Sequence, residues 1–143
     1  MNVRVPRILL LIAAVLSTAG AVFHLAASFN TFTIVTASGM PPFYSNSFKV
    51  LWLADSATMA ILAVVCVSMA LRMEMASRLL LALLALFPVS TAVLLYTFLG
   101  NFPAGHILMA IGVLMMLAGA RASGSRPLAR VSDAGPVPAK PPW

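Results

Sequence analysis

Four long apolar stretches, separated by short polar, proline- or glycine-bearing segments, organise the chain. A helix rises 1.5 Å per residue, so roughly 20 apolar residues cross the ~30 Å hydrocarbon layer of a bilayer. The stretches run from about Arg7 to Phe29, Phe48 to Leu71, Arg78 to Leu99 and Pro103 to Ala120. They predict one domain over residues 1–120, an all-α four-helix transmembrane bundle. The first connection, Asn30 to Ser47, carries Gly39-Met40-Pro41-Pro42. Two prolines oppose a continuous helix, so a long outer loop is expected there, lying over the bundle as a lid. The link Gly100-Asn101-Phe102-Pro103 is tight and makes spans three and four an antiparallel pair, with Asn101 as N-cap and Pro103 in the first turn. Residues 121–143 turn to Ala, Gly, Ser, Pro and Arg, a composition that predicts a disordered basic tail.

Composition changes the picture in one respect, the solvent. Hydrophobic residues make up 62% of the 143, and charged residues only 8%, against about a quarter in soluble domains. Lipid must cover what charge does not. The net charge of +6 could suggest nucleic acid, but the basic residues flank apolar runs, so the anionic cytoplasmic leaflet is the expected partner and nucleic acid is not. Arg4 and Arg7, then Arg72 and Arg78, then Arg121, Arg126 and Arg130 fall on one side of a four-span chain, and Lys49 alone on the other. The positive-inside rule then predicts a multi-pass protein with both termini cytoplasmic. A rival layout exists at the N-terminus, where Arg4, Arg7, Ile8 to Leu16 and Ala19-Gly20-Ala21 resemble a secretory signal. The apolar run continues through Val22 to Phe29, which favours an uncleaved first span.

Few polar side chains interrupt the spans. Asp55 falls about seven residues inside the second, where a carboxylate must face the bundle, pair or take up a proton. His24 shares a stripe with Ser17, Gly20, Ala21 and Ser28, whose small side chains let helices approach closely. His106 starts the fourth span, beside Gly105, Gly112 and Gly119 at seven-residue spacing. Each alone can be an interhelical hydrogen bond or a wetted interfacial group. Together with Tyr96, Thr97, Asn101, Trp52 and a rim residue Lys49, they are expected to meet in one outer layer, where Asp55 would stabilise a protonated histidine.

Such a layer admits three chemistries. One is a pocket for a lipid headgroup or small molecule. Another is a metal or redox site, with His24, Asp55 and His106 on a divalent metal or the two histidines on haem. The last is a proton relay between His24 and Asp55. The single cysteine, Cys66, excludes an intrachain disulfide and any cysteine-based metal motif. Met59, Cys66, Met69 and Met73 near one stripe read as gap-filling core rather than a copper site. Pro88 is expected to kink the third span and free the Leu84 carbonyl, with Ser90 and Thr91 at hand for the backbone.

Phe23-His24-Leu25, Val50-Leu51-Trp52 with Asp55, and Gly105-His106 ahead of an apolar run give the four spans a further meaning. In these features the chain resembles the small four-span bacterial membrane proteins grouped as DoxX-like. Some of those are accessory subunits in quinone-linked sulfur redox, so the resemblance implies a place beside a redox complex and carries over no catalytic residue. The expected function is a non-catalytic accessory protein holding a lipid, quinone or partner helix near His24 and Asp55, within a larger membrane complex or a homo-oligomer. The alternative is a membrane redox or metal enzyme using His24, His106 and Asp55.

Overall fold

The computed structural model describes residues 4–122; the expected basic tail lies almost wholly outside them. Four helices follow in order: α1 Arg4–Ala37, α2 Pro42–Leu71, α3 Arg78–Leu99 and α4 Pro103–Ala122. Each is long and apolar enough to cross a membrane, and no strand occurs among the described residues. The chain is a multi-pass, all-α helical bundle. Large apolar side chains such as Phe23, Phe29, Val64 and Phe98 point outward, the arrangement of a surface solvated by hydrocarbon.

The long outer loop does not form. α1 carries on through Asn30 to Ala37, and only Ser38–Pro41 separates it from α2. Three threonines in the polar, β-branched segment return their hydroxyls to carbonyls four residues back: Thr31 to Ala27, Thr33 to Phe29 and Thr36 to Phe32. Gly39, at φ +69°, makes the reversal. Pro42 then occupies the first turn of α2, where a missing N–H costs nothing. Proline here starts a helix rather than interrupting one.

At the other end α2 closes at Arg72, whose amide bonds the Ser68 carbonyl, and a 3₁₀ turn spans Met73–Met75. Ser77 then caps α3 by accepting the Leu80 amide at 3.1 Å. α3 stops at Gly100, again at φ +69°. By helix rise, α1 and α2 (34 and 30 residues) reach roughly 51 and 45 Å, whereas α3 and α4 (22 and 20 residues) reach roughly 33 and 30 Å. The first hairpin therefore overtops the second at the end away from the arginines.

α1 packs on α2 and on α4, and α3 packs on α4. Fully buried Leu10, Cys66, Leu81, Ile111 and Met115 form the core. The α4 glycines set the α3–α4 seam: a Cβ on Gly112 would stand 2.4 Å from Val89 Cγ2, and one on Gly119 3.2 Å from Leu81 Cβ. Pro88 is buried on that same seam, and Ser90 and Thr91 both bond the Phe87 carbonyl. Met59 fills the space above Gly20, so the sulfur stripe is core, as its spacing implied.

Candidate functional site

His24 stands about 26 Å along α1 from Arg7, Asp55 about 24 Å along α2 from Leu71, and His106 about 23 Å along α4 from Arg121. By this count the three lie at similar distances from the arginine-bearing ends of their helices. They do not share one site. Among the described residues no three His, Cys, Asp or Glu side chains gather as a metal-ligand set. The reason lies in helix order: α1 stands between α2 and α4, so α2 and α4 are not packed neighbours. The polar layer therefore divides into two centres, one in each hairpin.

The first centre joins α1 to α2. The His24 ring stacks on Trp52 with centroids 4.0 Å apart and planes at 10°. Trp52 Nε1 donates to the His24 carbonyl at 2.9 Å. Ser56 Oγ lies 2.8 Å from His24 Nδ1 and donates to the Trp52 carbonyl at 3.1 Å. That hydroxyl has one hydrogen, already committed to Trp52, so Nδ1 must be the donor to Ser56. Nε2 then faces Asp55 Oδ2 at 3.7 Å, an ion-pair distance beyond hydrogen-bond reach. Both side chains are about a quarter to a third exposed. Ser56 escaped sequence reasoning, yet a half-buried imidazole calls for a hydrogen-bond partner, and a serine one turn from Trp52 is the one in reach.

The second centre ties α3 to α4. Tyr96 OH is 2.8 Å from His106 Nδ1, and Asn101 Oδ1 is 2.6 Å from Nε2. Asn101 Oδ1 accepts from Nε2, and the Tyr96 hydroxyl meets Nδ1, so both ring nitrogens are engaged. Gly105 makes room for this: a Cβ there would meet Tyr96 Cε1 at 2.8 Å. Asn101 is thus committed to His106 rather than to capping α4. Thr97 bonds its own helix at the Val93 carbonyl and joins neither centre. Lys49 sits well above Asp55 and donates to Thr36 Oγ1 at 2.8 Å.

A groove of about 660 Å³ runs along the lipid-facing side of α1 and α2. Val22 and Leu25 form one wall, Leu53, Ala57 and Ala60 the other, and Ser56, the partner of His24, opens onto it. Its α1 wall runs from Thr18 to Leu25, about 11 Å by helix rise, and its α2 wall from Leu53 to Ser68. The arrangement can hold an aliphatic chain beside a small cluster of donors and acceptors. Among the described residues it offers no three-residue ligand set for a metal. Comparison of the chain with family models, curated proteins and solved structures finds no match.

Proposed function

We propose that this is a non-catalytic binding protein of the bacterial inner membrane, with both termini cytoplasmic. It holds one amphiphilic molecule whose chain lies in the α1–α2 groove and whose polar part reaches the level of Ser56, His24 and Asp55. The observation that carries the reading is the groove itself: an aliphatic channel between two helices, opening at its distal end beside the side-chain hydrogen bonds that join them. Arginines at 4, 7, 72, 78 and 121 at the opposite ends of the spans support the orientation. An accessory place beside a membrane redox complex, which the DoxX-like resemblance implies, is compatible with such a carrier or holder.

Lipid extracts of protein purified in mild detergent test the reading. One amphiphile should be enriched over the bulk membrane lipids, and Ala60→Phe, which fills the groove from an exposed position, should lose that enrichment while keeping the helical circular dichroism. Extracts matching bulk lipid for both proteins would overturn it.

A further inference from the structure

Three hydroxyls line the α1–α2 groove, at Thr18, Ser56 and Ser68. Counted from the His24–Ser56 contact, Thr18 stands about 9 Å and Ser68 about 18 Å nearer the arginine-bearing end. Ser68 therefore falls beyond the α1 wall, which ends at Thr18. Between the two walls a ligand meets only Ser56 and Thr18 as polar side chains.

Both hydroxyls have already given away their hydrogen. Thr18 Oγ1 donates to the Ala14 carbonyl at 2.9 Å, and Ser56 Oγ donates to the Trp52 carbonyl at 3.1 Å. Were Ser56 to turn its hydrogen to His24 Nδ1, 2.8 Å away, it would still be spent inside the protein. A hydroxyl has one hydrogen and two lone pairs, so each can offer a ligand only acceptance. A ligand acceptor could be served only by drawing a hydrogen off a partner that already holds it, one bond exchanged for another. A ligand donor adds a bond. At Ser56, only 7% exposed, that bond is shielded from water.

Charge narrows the head further. None of the lining side chains is ionisable. Asp55, one residue along from Ser56, is outside the lining and pairs with His24 Nε2. An anionic head would find no cation in the groove and a cationic head no carboxylate, and an unpaired charge is costly beside hydrocarbon.

Resting on the amphiphile reading above, we infer that the bound molecule is an uncharged lipid alcohol. Its hydroxyl donates to Ser56 Oγ at the level of His24, and its aliphatic part descends between α1 and α2 past Ala60. The groove selects the head and sets no chain length. Ether, ester and ketone heads accept without donating, and phospholipid heads are charged, so neither class matches. Diacylglycerols and reduced quinols share the required chemistry.

The test is equilibrium partition into phosphatidylcholine nanodiscs holding the full chain, read by mass spectrometry as the excess over empty nanodiscs. The probes share one saturated chain: 1-hexadecanol, hexadecyl methyl ether, palmitate and hexadecylamine. The alcohol should bind about fivefold more tightly than each of the others, the scale of one neutral hydrogen bond. Ser56→Ala should erase the preference over the ether, and Thr18→Val should keep it. Equal binding of alcohol and ether by the native chain, or tighter binding of palmitate or the amine, would overturn the inference and leave the groove reading standing. A preference that survives Ser56→Ala, or is lost in Thr18→Val, would overturn the placement of the head. The mass of the lipid that co-purifies separates a diacylglycerol from a quinol, and a co-purified lipid without a free hydroxyl would overturn the inference. No excess of any probe for the native chain, or an undiminished excess for Ala60→Phe, would remove both this inference and the proposed function.

Discussion

Replacing His24 with alanine should destabilise the first hairpin, and a second substitution should restore part of the loss. The alanine deletes the Nδ1 bond to Ser56, the stack on Trp52 and the partner of Asp55, while the Trp52 Nε1 bond survives because it goes to a backbone carbonyl. An interhelical hydrogen bond in a membrane is worth about 0.6 kcal/mol and at most about 1.7. An aromatic stack adds about 0.5–1.5 kcal/mol. The third contribution is Asp55 left alone near the hydrocarbon edge; an unpaired aspartate costs about 2.5–3.5 kcal/mol at mid-membrane and less toward the surface. His24→Ala should therefore lose about 2–4 kcal/mol. Adding Asp55→Asn removes the stranded carboxylate, so the double variant should be the more stable of the two by about 1 kcal/mol. Unfolding in mixed micelles by sodium dodecyl sulfate, followed by helical circular dichroism, gives both numbers. If the double variant is no more stable than His24→Ala, Asp55 is not held by the imidazole and the centre is misassigned.

The glycine seams predict opposite outcomes for one chemical change. Gly112→Ala drives a Cβ to 2.4 Å from the stiff Val89 and 3.3 Å from the Ala85 carbonyl, and should cost about 1–3 kcal/mol by overpacking. Gly20→Ala meets only the mobile end of Met59 at the same 2.4 Å, so the helix propensity gained, about 0.8–1.0 kcal/mol, should leave it near native; equal losses in the same unfolding assay would refute the contrast. Tyr96→Phe strips the partner from His106 Nδ1 at an exposed site and should lose about 0.6 kcal/mol. A loss as large as that of His24→Ala would show that the second centre has partners beyond those described.

Hydrophobic run length was enough to place α3 and α4 and the apolar parts of α1 and α2, because length against bilayer thickness is a one-dimensional constraint. Residue counts along the helices likewise put His24, Asp55 and His106 at similar distances from the arginine-bearing ends. Lateral position was not legible. Nothing in the spacing of the spans tells that α1 stands between α2 and α4, so a shared layer does not imply a shared site. The Asn30–Ser47 segment failed through local chemistry. Threonines in a helix satisfy its carbonyls from within, and proline is as good at opening a helix as at ending one. Reading Pro42 as a first-turn residue would have found the tall hairpin, and with it the Lys49–Thr36 bridge.

Two centres differ from a single network in a way that energies can separate. In the distal half of the molecule the side-chain bonds between helices stay within a hairpin: His24, Ser56, Trp52, Lys49 and Thr36 in the first, Tyr96 and His106 in the second. The α1–α4 seam at that level depends on packing. Substitutions without shared partners add to within about 0.3–0.5 kcal/mol, whereas members of one network couple by about 0.5–3 kcal/mol. Combining His24→Ala with Tyr96→Phe should therefore give the sum of the single losses. A departure of 1 kcal/mol or more (about twice the additive tolerance) would mean that the imidazoles do sense each other across α1, and the single polar layer expected from the sequence would have to be restored.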